Sequence, residues 1–222
     1  MTAIGTFLQM LPRKFNDEEF RTNFYEIAME ETNRVNNMIT ELLDLINTRE
    51  SQFELNNLHD LIDKMIFLIS PQSKAKDIEI VREFDTSIGQ VKMDSEKIKQ
   101  VILNLLSNAV DFTPERGRIE ISTAKESMNG SRESIRIEIK DNGIGISPSM
   151  MNKIFDPYFT TKHKSNMHNG TGLGLFIAHQ NIQDHKGTID VQSEVDKGTT
   201  FILNLPIDFS LQSLRNAGLH NS

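Results

Sequence analysis

An α+β architecture, in which a mixed, largely antiparallel sheet carries helices on one face and follows an antiparallel helical hairpin, is predicted by three features of this 222-residue chain. Between Phe20 and Ile46, apolar residues recur at spacings of three and four, the stripe of an amphipathic helix. From Phe53 onward, short strand-like runs alternate with helical periodicity. Cap and turn residues, among them Asp17, Asp94 and Met128-Asn129-Gly130, stand at the joints.

The first helical segment runs from Thr2 to Leu11 and is expected to end at Pro12, with a loop through Asp17. Asp17, backed by Glu18 and Glu19, suits a helix start because acidic groups oppose the positive end of the helix dipole. The long helix that follows carries Phe20, Phe24, Ile27, Val35, Met38, Ile39, Leu42, Leu45 and Ile46 on one stripe. A helix of about 30 residues is roughly 45 Å long. Such a helix with a short partner either packs on its own globular domain or pairs with a second copy as a four-helix bundle.

After a polar linker at Asn47 to Gln52, Phe53 to Leu55 reads as a strand, and Leu58 to Lys74 as a helix interrupted near Pro71. Ile78 to Phe84 and Val91 to Met93 read as strands, and Asp94 N-caps a helix to Phe112. Arg118 to Ala124 and Ile135 to Lys140 alternate apolar and polar residues, with Met128-Asn129-Gly130 turning between them. Leu173 to His185 is helical, and Thr188 to Ser193 with Thr200 to Leu205 forms a closing hairpin. The expected division is a hairpin at 1–50, a larger domain at 51–208 and a loose tail at 209–222.

With 37% hydrophobic and 25% charged residues, the chain can form a soluble globular core. A net charge of −7 argues against a nucleic-acid-binding surface. No cysteine is present, which excludes disulfides and thiolate metal sites and accords with the cytoplasm. No apolar run reaches the roughly 18 residues of a membrane span, and no signal-peptide pattern opens the chain, so no membrane contact is expected.

Four segments carry chemistry. Asn104 and Asn108 lie four apart on one helical face, where amide oxygens can ligate a hard cation; exposed polar residues are the plainer reading. Asp141-Asn142-Gly143-Ile144-Gly145 places a carboxylate at a strand end, able to accept from an exocyclic amine, although Asp-Asn-Gly is also an ordinary turn. Phe155-Asp156-Pro157-Tyr158-Phe159-Thr160-Thr161-Lys162 offers aromatics that anchor a loop, or a core cluster beside one. The polar Thr161 to Gly170 stretch reads as a mobile lid. Gly170-Thr171-Gly172-Leu173-Gly174-Leu175 opens a helix and exposes backbone N–H groups that favour phosphate, with neither Walker nor Rossmann spacing.

In this order, residues 53 to 206 resemble the ATP-binding domain shared by histidine kinases, gyrase B, heat-shock protein 90 and the mismatch-repair protein MutL, a two-layer α/β sandwich. Gly198-Thr199-Thr200-Phe201 matches its closing element. The resemblance implies ATP and Mg²⁺ as cofactors, Asp141 on adenine, Asn108 on the metal, and Lys162 with the backbone at Gly172 and Gly174 on the phosphates. It extends the nucleotide-binding set to Asp111, Gly143, Gly145, Ile146, Phe155, Phe159, Thr161, Gly170, Thr171, Leu173, Gly174, Leu175 and Thr199. Hydrolysing members carry a glutamate at the position of Asn104; an amide cannot act as a general base, so kinase chemistry is expected, with Asn104 and Lys162 as its catalytic residues. Asp111 departs from the lysine or arginine common in histidine kinases.

The first helices resemble the dimerisation and phosphotransfer hairpin of the same kinases, in which the acceptor histidine precedes a Leu-Thr-Ala-Ile run. Here the chain opens Met1-Thr2-Ala3-Ile4, so the resemblance implies an acceptor upstream of Thr2 and a weakened homodimer. His59 reads as an ordinary helix-start residue, and His163 and His168 lack the neighbours of a metal site. A response-regulator receiver domain is the implied partner. A slow ATP-driven clamp of the gyrase type and a non-catalytic docking module are the alternatives.

Overall fold

The structure is a computed structural model, which describes residues 3–46, 51–128, 132–160 and 171–207. The chain forms two compact units, Met1–Arg49 with Thr160–Leu173 and Glu50–Phe159 with Gly174–Ser222.

In the first unit, α1 (Ala3–Lys14) turns back into α2 (Glu18–Ile46). Asp17 caps α2 as expected, its Oδ1 accepting from the amide of Phe20 at 3.1 Å. Phe7 stacks on Phe20 with ring centroids 5.4 Å apart, and Phe24 adjoins both, which joins the two helices through aromatic packing. Pro12 does not end α1, contrary to expectation. In the last turn a proline forfeits a single intrahelical hydrogen bond, and Arg13 and Lys14 favour that end of the dipole.

The second unit is a five-stranded sheet in the order β2 (Glu79–Phe84), β4 (Arg118–Met128), β5 (Arg132–Asp141), β7 (Gly198–Pro206), β6 (Thr188–Glu194). Only β2 and β4 run parallel. A separate ribbon pairs β1 (Glu54–Asn57) with β3 (Gln90–Met93). Helices α3 (Leu58–Ala75), α4 (Ser95–Phe112) and α6 (Gly174–Asp184) supply Leu58, Ile62, Ile102, Leu105, Leu106 and Ile182 to one core with Ile119, Ile121, Ile137, Ile139 and Leu203 of the sheet. The opposite face carries charge: Glu120 bridges Arg118 at 2.8 Å and Lys140 at 3.1 Å, and Arg136 pairs with Glu138. One apolar and one solvated face is what the alternating strands require.

Pro71 lies inside α3 rather than interrupting it; its missing donor concerns the carbonyl of Phe67, a residue on the exposed side. A four-residue helix, α5 (Pro148–Met151), was not expected. The predicted turn at Asn129 and Gly130 lies outside the described residues, as do the linker at 47–50 and the tail from Asp208.

Candidate nucleotide site

β5 delivers Asp141. The strand's alternation turns Ile135, Ile137 and Ile139 toward the helices, and Asp141 follows in phase, its side chain buried. Its Oδ1 accepts from the amides of Gly143 at 2.8 Å and Thr199 at 3.2 Å. Nothing among the described residues bonds to Oδ2. Burial raises the carboxyl pKa from 3.8, against the two backbone donations, which lower it. Among the described residues, neutral backbone donors and not a cation hold this group in place.

The loop after Asp141 is pressed against its neighbours. A β-carbon on Gly143 would collide with the carbonyl of Phe112, and Gly145 has φ +67 with the carbonyl of Glu194 where its β-carbon would be. Ile144 donates to the Phe112 carbonyl at 3.2 Å, tying this loop to the end of α4. Ile146 donates to Ser193 Oγ at 2.8 Å, tying it to β6.

Asp94 caps α4, accepting from Glu96 and Lys97 at 3.1 and 3.2 Å. At the other end, Lys76 Nζ donates to the carbonyls of Val110, Asp111 and Thr113 at 2.7, 2.8 and 3.1 Å. Asn104 and Asn108 are half-buried on this helix. Asn104 Nδ2 donates to the carbonyl of Gly174 at 2.9 Å, so the asparagine helix and the glycine segment opening α6 meet directly. Asp111 is half-buried as well.

Phe155, Phe159, Ile146 and Leu175 are half-buried against the core, and the Phe155 ring lies 5.3 Å from that of His179. Gly172 has φ +77, and Leu173 donates to Thr171 Oγ1 at 3.3 Å, a local turn. Thr161, Lys162 and Gly170, with the rest of the expected lid, lie outside the described residues. The structure therefore joins Asp141 to Thr199, Ile144 to the end of α4, and Asn104 to Gly174. Ser193 and Lys76 were missed; a lone serine in a strand and a lysine after a helix carry no local signal.

Residues 93–208 match the family described as histidine kinase-, DNA gyrase B-, and HSP90-like ATPase. The chain is 36% identical over 208 residues to the signal transduction histidine-protein kinase AtoS of Escherichia coli, covering 94% of this chain and 33% of that one. It is 33% identical to sporulation kinase D of Bacillus subtilis, covering 95% and 40%. This chain thus spans between a third and two fifths of the length of these curated relatives. Among solved structures, the catalytic domain of histidine kinase ThkA matches with a TM-score of 0.60 at 32% identity, covering 70% of this chain and 96% of that one. A crystal structure of ThkA in complex with the response regulator protein TrrA matches with a TM-score of 0.75 at 28% identity, covering 92% and 57%.

Proposed function

This chain belongs to the histidine kinase-, DNA gyrase B-, and HSP90-like ATPase family, and we propose that it is the ATP-binding catalytic part of a sensor histidine kinase together with its dimerisation hairpin. The Asp141 carboxylate carries the reading: one oxygen is pinned by Gly143 and Thr199, which leaves the other for a donor such as the exocyclic amine of adenine. Asn104 favours transfer over hydrolysis, since an amide takes no proton at neutral pH and here donates to Gly174. The γ-phosphoryl would pass to a histidine presented by a helical hairpin, with positioning and charge neutralisation as the means.

Among the described residues no group of three His, Cys, Asp or Glu could hold a metal ion. Mg²⁺ takes few protein oxygens and keeps waters and phosphates around it. The Asn108 amide would be its protein ligand, and the ion would neutralise phosphate charge. Lys162 and the backbone at Gly172 and Gly174 would face the phosphates, and Asp111 places more of that task on Lys162.

The same proposal divides the chain at 1–50, 51–208 and 209–222. It places a homodimer on the hairpin, where Leu8, Met10, Tyr25, Met29 and Val35 are exposed, and a response-regulator receiver domain as the onward acceptor. No helix of the described residues is long and apolar enough to cross a membrane; a cytoplasmic location is part of the proposal. Incubating the chain with γ-labelled ATP, Mg²⁺ and a separately supplied hairpin bearing the acceptor histidine should give acid-labile label on that hairpin. Steady phosphate release with no acceptor present would overturn this reading in favour of an ATP-driven clamp.

A further inference from the structure

Ser193 on β6 touches three polar groups at once. Its Oγ lies 2.8 Å from the amide of Ile146, 2.9 Å from the carbonyl of Gly198 and 2.9 Å from Thr199 Oγ1. An amide N–H can only donate and a carbonyl can only accept. Ser193 therefore accepts from Ile146 and gives its single proton to Gly198. Two hydroxyl oxygens at 2.9 Å must share a proton. That of Ser193 is already committed, so Thr199 is the donor. The Thr199 hydroxyl then has only lone pairs left for any other partner.

This matters because of where Thr199 stands. It is the register partner of Asp141 across β5 and β7, and its amide holds Asp141 Oδ1. Both side chains are buried, in phase with the core residues of their strands. A purine edge arriving at Asp141 meets two acceptors side by side, Oδ2 of the carboxylate and Oγ1 of the threonine. Such a pair suits an edge with an exocyclic amine, whose two N–H groups can be given to the two oxygens. It opposes an edge with a carbonyl in the amine's place.

We propose that Ser193 is a positioning residue for purine selection: by taking the Thr199 proton it fixes that hydroxyl as an acceptor and turns away 6-oxopurine nucleotides. The inference rests on Asp141 being the purine acceptor.

Binding of ATP and of inosine triphosphate, each with Mg²⁺, is measured by calorimetry on the full chain and its variants. Ser193→Ala frees the Thr199 proton to donate to a 6-carbonyl, and the ATP-to-ITP affinity ratio should fall roughly tenfold, the worth of one hydrogen bond. Ser193→Thr keeps the hydroxyl and should keep the ratio. Thr199→Val leaves Ser193 bonded to Ile146 and Gly198 and should lower the ratio by weakening ATP without strengthening ITP. If both affinities fall together in Ser193→Ala, so that the ratio stays constant, Ser193 supports the fold only and the inference is overturned. If that variant proves unfolded by circular dichroism, an unchanged ratio in Thr199→Val overturns it instead. A wild-type chain that binds neither nucleotide refutes the assignment of Asp141 itself, and this inference falls with it.

Discussion

Asp141 and His185 are both buried, both titratable, and both driven by burial toward their neutral forms, the aspartate pKa raised and the histidine pKa lowered. Their hydrogen bonding separates them. His185 Nε2 accepts from the amide of Asp94 at 3.0 Å, which places the ring proton on Nδ1, donating to the carbonyl of Asn181 at 2.7 Å. With the Phe53 ring 5.0 Å away, the imidazole has no polar atom left over. Asp141 has one oxygen doubly bonded to the backbone and the other without a partner among the described residues. A buried polar group whose capacity is filled holds a fold together; one left half-filled in a comparably buried place is available to a ligand.

Asp141→Asn tests this distinction most severely. The amide oxygen can still accept from Gly143 and Thr199, so the fold keeps its bonds, but the NH₂ then stands where Oδ2 was and meets the purine amine donor to donor. Nucleotide affinity should fall about 100-fold, on the order of 2–3 kcal/mol, by calorimetric titration. Stability should not fall. The carboxyl pKa is raised on folding, so the stability it contributes is complete below 3.8 and is lost as pH rises through the folded value. The amide has no such loss near neutral pH. Wild-type affinity in the asparagine variant would show that the spare oxygen has no ligand.

His185→Leu should show the reverse pattern. It leaves the Asp94 amide and the Asn181 carbonyl short of a partner and should reduce stability by about 2 kcal/mol in urea denaturation, while nucleotide affinity changes by less than about twofold. Its pKa is depressed by burial first; Asn181, Asp94 and Asp184 pull it back up, and Lys97 pushes it further down. The stability it contributes is therefore present above 6.5 and lost as pH falls through the folded value. Wild-type stability should decline from pH 7.5 to 5, and the leucine variant should lack that part of the slope.

The features legible in the sequence were those whose partners are near in the chain. Asp17 and Asp94 cap the helices they precede because the bonds reach only two or three residues on. The glycines after Asp141 mark the tight loop that Gly143 and Gly145 form, whereas the bond from Asp141 to Thr199, 58 residues on, has no local sign. Pro12 and Pro71 misled because a proline is destabilising in the middle of a helix but tolerable in a last turn or on a solvent-facing side. His59 does begin α3, yet its ring also stacks on Phe84 and meets Thr123, 64 residues away. Asn104 stands out in the sequence as an asparagine inside a helix, but its bond to Gly174, 70 residues on, belongs to tertiary structure. Ser193 and His185 reach partners 47 and 91 residues away, distances at which no local pattern marks a residue.

Lys76 gives the finest test, because it is filled like His185 but sits at the end of α4 to which the loop after Asp141 is tied. All three of its N–H donors go to the carbonyls of Val110, Asp111 and Thr113, groups a helix terminus leaves without intrahelical partners. Its positive charge also opposes the negative end of the helix dipole. Lys76→Met keeps most of the side-chain length and removes both effects, so stability should fall by about 1–2 kcal/mol. If filled bonding marks a structural role even beside a site, ATP affinity should change by less than about threefold once the variant is measured well below its melting temperature. A larger loss would mean that the carbonyl of Phe112, which receives the amide of Ile144, moves when its neighbours are released. In that case the end of α4 and the glycine loop would act as one unit in binding, and counting unfilled polar atoms would not suffice to separate site from scaffold.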